Sequence, residues 1–200
     1  MEVVAYADLA AEVLAAPARL GAVRMVAVDG PAGSGKTTFA DRLAAALRGA
    51  GASVAVVHTD DLLEGWTDMV SFWPRLREWV LEPLARGEPA RFRRYDWVRG
   101  RFEDEWQDLP VPDVLVVEGV TSARVEAAPL LTRAVFVLAG VELRLARGLE
   151  RDGEALREEW LRWMAGEARH FAEDATQERA DVRVDGTAAA ADGRCFVRLP

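Results

Sequence analysis

One stretch constrains the fold of this chain more than any other: Gly30-Pro31-Ala32-Gly33-Ser34-Gly35-Lys36-Thr37. It satisfies the spacing G-x-x-x-x-G-K-[ST], in which glycines let a loop turn its backbone N–H groups inward around phosphate oxygens. An apolar run, Val23 to Val28, precedes it, and Phe39, Leu43 and Leu47 follow at four-residue spacing. Strand, loop and helix are therefore expected in that order, with the helix dipole adding to the anion cradle. The pattern makes Gly30, Ala32, Gly33, Ser34, Gly35, Lys36, Thr37 and Thr38 candidate binders of a nucleoside triphosphate, taken as ATP. Lys36 would reach the β- and γ-phosphates, and the Thr37 hydroxyl would ligate Mg²⁺. The plain alternative is a glycine-rich turn that binds nothing.

Lys36 is the only lysine among 25 basic residues, and isoleucine and asparagine are absent, a bias expected of a coding sequence rich in G and C. A lysine kept under that bias suggests a place where a compact ammonium fits and a broad guanidinium does not.

Short valine- and leucine-rich runs recur along the chain: Val23 to Val28, Ser53 to Val57, Asp113 to Val117, Ala134 to Leu138 and, more weakly, Asp181 to Val184. Their lack of alternation predicts strands covered on both faces. Helical spacing lies between them, over Asp68 to Arg86, Leu143 to Arg151 and Glu154 to Phe171. In the last, Leu156, Trp160, Trp163 and Met164 fall on one face and read as core. The expected architecture is α/β, a three-layer sandwich with a parallel five-stranded sheet and helices on both faces. The segment Pro89 to Pro110 fits neither period and reads as a hairpin or extended excursion, and Thr187 to Asp192 is alanine-rich.

Two hundred residues, half of them hydrophobic, suit one domain over residues 1–200. No apolar run is long enough to span a membrane and the acidic start lacks the basic character of a signal peptide, so the expected location is cytoplasmic. A net charge of −8 repels phosphate backbones, which argues against nucleic acid as a partner. A single cysteine, Cys195, excludes an internal disulfide. A small-molecule acceptor is the expected partner, and a homo-oligomer is compatible with the composition.

The polar residues at the strand ends narrow the class. The second strand runs into His58-Thr59-Asp60-Asp61, the third ends in Val116-Val117-Glu118-Gly119, and Arg144, Arg147 and Arg151 recur at spacings of three and four. Cations so placed repel one another unless paired, and gain from an anion. In this order the chain resembles the uridine kinase-like group of P-loop kinases. The resemblance implies that Asp60 orients and deprotonates an acceptor hydroxyl, that Glu118 is the acidic end of a Walker B strand holding Mg²⁺ with Thr37 and Asp60, and that Arg144, Arg147 and Arg151 belong to a lid closing over ATP, about residues 144–160. Arg147 or Arg151 would stabilise the transition state. Ordinary turn, solvent-facing and salt-bridged roles remain alternatives for these residues.

An acceptor-side excursion, about residues 60–110, holds Gly65-Trp66-Thr67-Asp68 and Arg93-Arg94-Tyr95-Asp96-Trp97. Aromatic rings can stack a base and carboxylates can take sugar hydroxyls, so Asp61, Trp66, Asp68, Tyr95, Asp96 and Trp97 are candidate acceptor contacts. A satellite core is the alternative. Leu62 and Leu63 stand where nucleoside kinases of the group carry Phe-Tyr, and Arg91, Arg93 and Arg94 could bind an acceptor that already bears phosphate. The resemblance therefore implies an ATP-dependent kinase for a nucleoside, with a nucleoside monophosphate or a vitamin precursor as alternative acceptors. A regulatory module that binds ATP without catalysis is the rival. Absence of asparagine argues against a guanine-reading Asn-Lys-x-Asp switch.

Overall fold

Strands built of valine and leucine without polar alternation are expected to be covered on both sides, and the five expected ones stand side by side in one sheet, from Val54–His58 at its edge to Val182–Asp185. The structure is a computed structural model; it describes residues 1–187 and 193–200, so 188–192 of the alanine-rich stretch lie outside the described residues. The chain runs β1 (Glu2–Ala5), α1 (Tyr6–Ala15), β2 (Arg24–Asp29), α2 (Lys36–Gly49), β3 (Val54–His58), then α3 (Trp73–Leu76), a π turn (Arg77–Leu81) and α4 (Glu82–Ala85). Four short strands follow, β4 (Ala90–Phe92), β5 (Tyr95–Asp96), β6 (Arg101–Phe102) and β7 (Gln107–Leu109). The last part holds β8 (Val114–Glu118), β9 (Leu131–Leu138), α5 (Val141–Asp152), α6 (Arg157–Asp174), α7 (Thr176–Arg179), β10 (Val182–Asp185) and β11 (Cys195–Leu199).

The sheet has seven strands in the order β1-β11-β10-β9-β2-β8-β3. β3, β8, β2, β9 and β10 are mutually parallel, as expected. β11 and β1 add antiparallel to one edge, which the sequence reading did not anticipate. β1 is the edge strand and β11 lies between it and β10; both carry exposed or half-exposed residues and lack the continuous apolar run of a buried strand.

Side-chain alternation sorts the core into two layers. Met25, Ala27, Leu115 and Val117 pack with Leu76, Val80 and Leu84 on one face. Val26, Val28, Val114 and Val116 meet Leu9, Val13, Leu43 and Leu47 of α1 and α2 on the other. From β2 the chain crosses to β3, returns to β8, then passes to the far side of β2 to form β9. Such a reversal opens a crevice at the carboxyl ends of the strands.

Local departures have local causes. The helix expected from Asp68 begins at Trp73, because the Asp68 carboxylate instead accepts the Glu64 N–H at 2.8 Å and the Ser71 hydroxyl at 2.5 Å, closing a turn. Glu154–Leu156 forms a separate 3₁₀ turn after Gly153, and α6 begins at Arg157. The excursion resolves into two antiparallel ladders, β4 with β7 and, between them in sequence, β5 with β6.

Candidate active site

The loop after β2 is held from three directions. Its root is Asp29, fully buried, whose Oδ1 accepts the Gly30 N–H at 2.7 Å and the Thr121 N–H at 2.9 Å, while Oδ2 accepts the Ala123 N–H at 2.7 Å. Loss of water around it pushes its pKa up to about 7, against the pull of these amides and Lys36. Its flank is Glu167 of α6, whose Oε2 accepts the Ala32 N–H at 2.8 Å and whose Oε1 accepts from Arg144 Nη1. Its back is α5: Gly33 has φ +77°, and a Cβ there would stand 2.6 Å from the Arg144 carbonyl oxygen, so glycine is needed for conformation and space alike.

Within this frame the Lys36 ammonium, largely buried, donates to the Pro31 carbonyl at 3.1 Å. The Thr37 and Thr38 side chains are exposed at the start of α2 and line the crevice. Arg147 Nη1 donates to the Gly33 carbonyl at 3.1 Å and reaches the Gly186 carbonyl at 3.4 Å, bridging the loop and the end of β10.

Across the crevice, a 3₁₀ turn over Thr59–Asp61 follows β3. Asp60 presents an exposed side chain to the crevice, and the protein crowding its carboxylate, with repulsion from Glu118, raises its pKa from the ordinary carboxylate value despite Lys36 and Arg151. Glu118 is buried at the end of β8, and its Oε2 lies 2.7 Å from His58 Nδ1 on the neighbouring strand. That hydrogen bond raises the His58 pKa. Gly119, at φ +143°, lets the chain pass Thr59: a Cβ there would fall 1.8 Å from the Thr59 hydroxyl.

The crevice has a volume of about 960 Å³. It brings together Ala32, Gly33, Gly35, Lys36, Thr37, Thr38, Asp60, Asp61, Glu118, Arg147, Arg151, Trp66 and Trp97 of the expected residues. Gly30 and Ser34 belong to the loop but not to this lining. Four more of the expected residues lie outside this lining. Arg144 is buried against Glu167 and turned from the crevice, because α5 uses it to hold the loop's flank. Asp68 is spent on its own turn and on Arg75, at 2.8 Å. Asp96 caps the turn after β5, its Oδ1 accepting the Val98 and Arg99 N–H groups, both at 2.9 Å. Tyr95 packs on Trp97 and Phe102 with ring centroids 5.3 Å from each.

Some lining residues escaped sequence reasoning. Trp160 and Trp163 read as core and are largely buried, yet they also wall the crevice beside Trp66. Tyr6, Phe39 and Phe196 pack together at 5.1–5.2 Å and line the part on the opposite face of the sheet, where Arg42, Asp185 and Thr187 join them. Asp29, beside the glycine motif, and His58, beside Asp60, carried the signal of proximity. Glu167 had none in sequence, since its partner lies 135 residues away.

The donor set fits a magnesium-bound triphosphate. The glycine turn, an ammonium at its centre, an open hydroxyl at the helix start and a buried carboxylate across the crevice suit phosphate oxygens and a hard cation. Among the described residues no group of three or more His, Cys, Asp or Glu side chains could hold a metal. A bound Mg²⁺ would therefore take most of its ligands from phosphate and water.

No protein-family model matches the sequence, and no curated protein matches it. Solved structures do match. A possible uridine kinase from Bacillus stearothermophilus aligns with a TM-score of 0.66 at 22% identity, over 89% of this chain and 96% of that one. D-glycerate 3-kinase from Cryptococcus neoformans aligns with a TM-score of 0.61 at 16% identity, over 88% and 90%. The mostly parallel sheet flanked by helices is thus the fold of P-loop kinases.

Proposed function

We propose that the chain is an ATP-dependent kinase that phosphorylates a hydroxyl of a small molecule. The observation carrying this reading is the convergence, in one crevice, of the phosphate loop with Asp60, Glu118, Arg147 and Arg151. A loop of amides alone would bind a nucleotide; an aspartate and two arginines facing it supply what transfer to an alcohol requires.

Magnesium, when bound, supplies charge neutralisation at the triphosphate. Thr37 and Glu118 would hold it, and the His58 contact fixes the Glu118 carboxylate. Lys36 and the amides of Gly33 to Thr37 grip the phosphates. Asp60 orients the acceptor hydroxyl and takes its proton as the hydroxyl oxygen bonds to the γ-phosphorus and the bond from that phosphorus to the β–γ bridging oxygen breaks. Arg147 and Arg151 offset charge spreading over the transferring group. Arg144 acts one step back, anchoring the helix that carries both.

A radiolabelled-ATP assay against pooled alcohols tests the reading. Label should appear in an organic acceptor, and Asp60→Asn should cut turnover roughly 10²–10⁴-fold while leaving MgATP affinity within about twofold. Equal turnover by the variant removes Asp60 from the chemistry.

A further inference from the structure

The acceptor end of the crevice differs from what polyhydroxylated or phosphorylated acceptors require. Beside Asp60 its wall is Trp66, Trp97, Trp160 and Trp163 with Leu63 and Val120. The indoles come from three separate parts of the chain: the loop before α3, the turn after β5, and α6. Trp66 is their hub, its ring centroid 5.7 Å from Trp97, 6.1 Å from Trp160 and 5.9 Å from Trp163, each pair edge to face. Two of the indole N–H groups are already used. Trp97 Nε1 donates to the Asp60 carbonyl at 3.1 Å, and Trp160 Nε1 donates to Asp152 Oδ2 at 3.0 Å. What this wall offers an occupant is chiefly ring surface.

The polar groups that would recognise other acceptors are engaged elsewhere. Arg91 pairs with Asp108 at 3.1 Å, Arg93 with the Glu103 carbonyl at 2.5 Å, and Arg94 with Asp61 at 3.5 Å; none of the three lines the crevice. Asp68 and Asp96, the carboxylates suited to a sugar diol, are turned into their own loops. The charged side chains at this end include Asp60, Asp61 and Asp152, with Asp61 paired to Arg94 at 3.5 Å and Arg151 held to Asp152 at 2.7 Å, and Lys36 and Glu118 act on Asp60 from the phosphate side. An acceptor bearing phosphate would face Asp60, Asp61 and Asp152 with both neighbouring guanidinium groups, Arg94 and Arg151, already paired to carboxylates, an unfavourable field.

We propose, resting on the kinase reading above, that the acceptor is an uncharged aryl or heteroaryl alcohol: a flat ring that stacks among the tryptophans and carries its hydroxyl on a short arm reaching Asp60. Aromatic stacking supplies affinity, and the absence of a diol or anion partner supplies selectivity.

The test is direct binding, read by quenching of tryptophan fluorescence and by calorimetry, with and without Mg²⁺ and a non-hydrolysable ATP analogue. The probes are benzyl alcohol, 3-pyridylmethanol and 2-phenylethanol against uridine, D-fructose and glycerol 3-phosphate. The aryl alcohols should bind at least about tenfold more tightly than the others. Trp97→Ala should weaken aryl alcohol binding about tenfold with MgATP affinity within about twofold, and Trp97→Phe, which keeps a ring and drops the N–H, should restore it. Tighter binding of uridine, fructose or glycerol 3-phosphate, or no binding of any aryl alcohol, overturns the proposal. Because binding is read without turnover, a chain that binds aryl alcohols but transfers nothing contradicts the kinase reading alone, and one that phosphorylates a polyol contradicts only the acceptor class.

Discussion

Asp29 and Asp60 are both aspartates that follow or end an apolar strand, and the surrounding protein raises the pKa of each, yet Asp29 is fully buried and Asp60 is exposed to the crevice. Asp29 spends its carboxylate on three main-chain amides, tying the start of the phosphate loop to the turn after β8. Asp29→Ala leaves those donors unpaired in a dry site. Chemical denaturation should report a loss on the order of 3 kcal/mol, since an orphaned buried amide costs about 1–3 kcal/mol and part of the cost relaxes away. Asp60 has no such partners and faces the crevice. In the proposed reaction Asp60 is the base and works only when ionised, so its raised pKa should move the acidic limb of kcat/KM above that of an ordinary carboxylate, with activity falling as pH drops through it. A pH–rate profile checks this; an acidic limb no higher than that of an ordinary carboxylate would contradict the role.

At the level of elements, the phosphate loop, α5 and α6 are one mechanical unit. Glu167 joins all three: it accepts from the loop's Ala32 amide and from Arg144 of α5 while sitting on α6, and it is buried. Glu167→Ala strands the Arg144 guanidinium without a counter-charge, which costs about 3–5 kcal/mol in buried pairs. Glu167→Gln keeps an acceptor for the Ala32 N–H and should lose less. Urea titrations of the two variants test this ordering, and equal losses would mean that the loop contact adds nothing. The unit also explains which elements were legible in the sequence. β2, β3, β8, β9 and β10 announced themselves by unbroken apolar runs, and α2 by its spacing after the glycine motif. β1 and β11 did not, because exposed or half-exposed residues such as Glu2 on β1 and Arg198 on β11 interrupt any apolar run, and the Asp68 turn overrode a helical period through side-chain hydrogen bonds that no periodicity reveals.

For the molecule as a whole, chemistry local in sequence was readable and chemistry made by folding was not. The loop from Gly30 to Thr37 and the acids Asp60 and Glu118 could be placed because each sits at a strand end, where α/β folds bind their ligands. Arg144 lies against Glu167 and outside the lining, which the sequence could not reveal, because one helix face can point into a crevice or against a neighbouring helix. The tryptophan wall was invisible for a similar reason: Trp66, Trp97, Trp160 and Trp163 are scattered over nearly a hundred residues, and helical spacing cannot distinguish a core face from a face that is core and site together. The whole account depends on one affinity. Isothermal titration calorimetry of the purified chain with MgATP should give saturable one-to-one binding, and Lys36→Ala should weaken it at least about tenfold, as loss of a charge-assisted contact to phosphate requires. No detectable uptake of MgATP by the folded chain, or an affinity indifferent to Lys36, would contradict it.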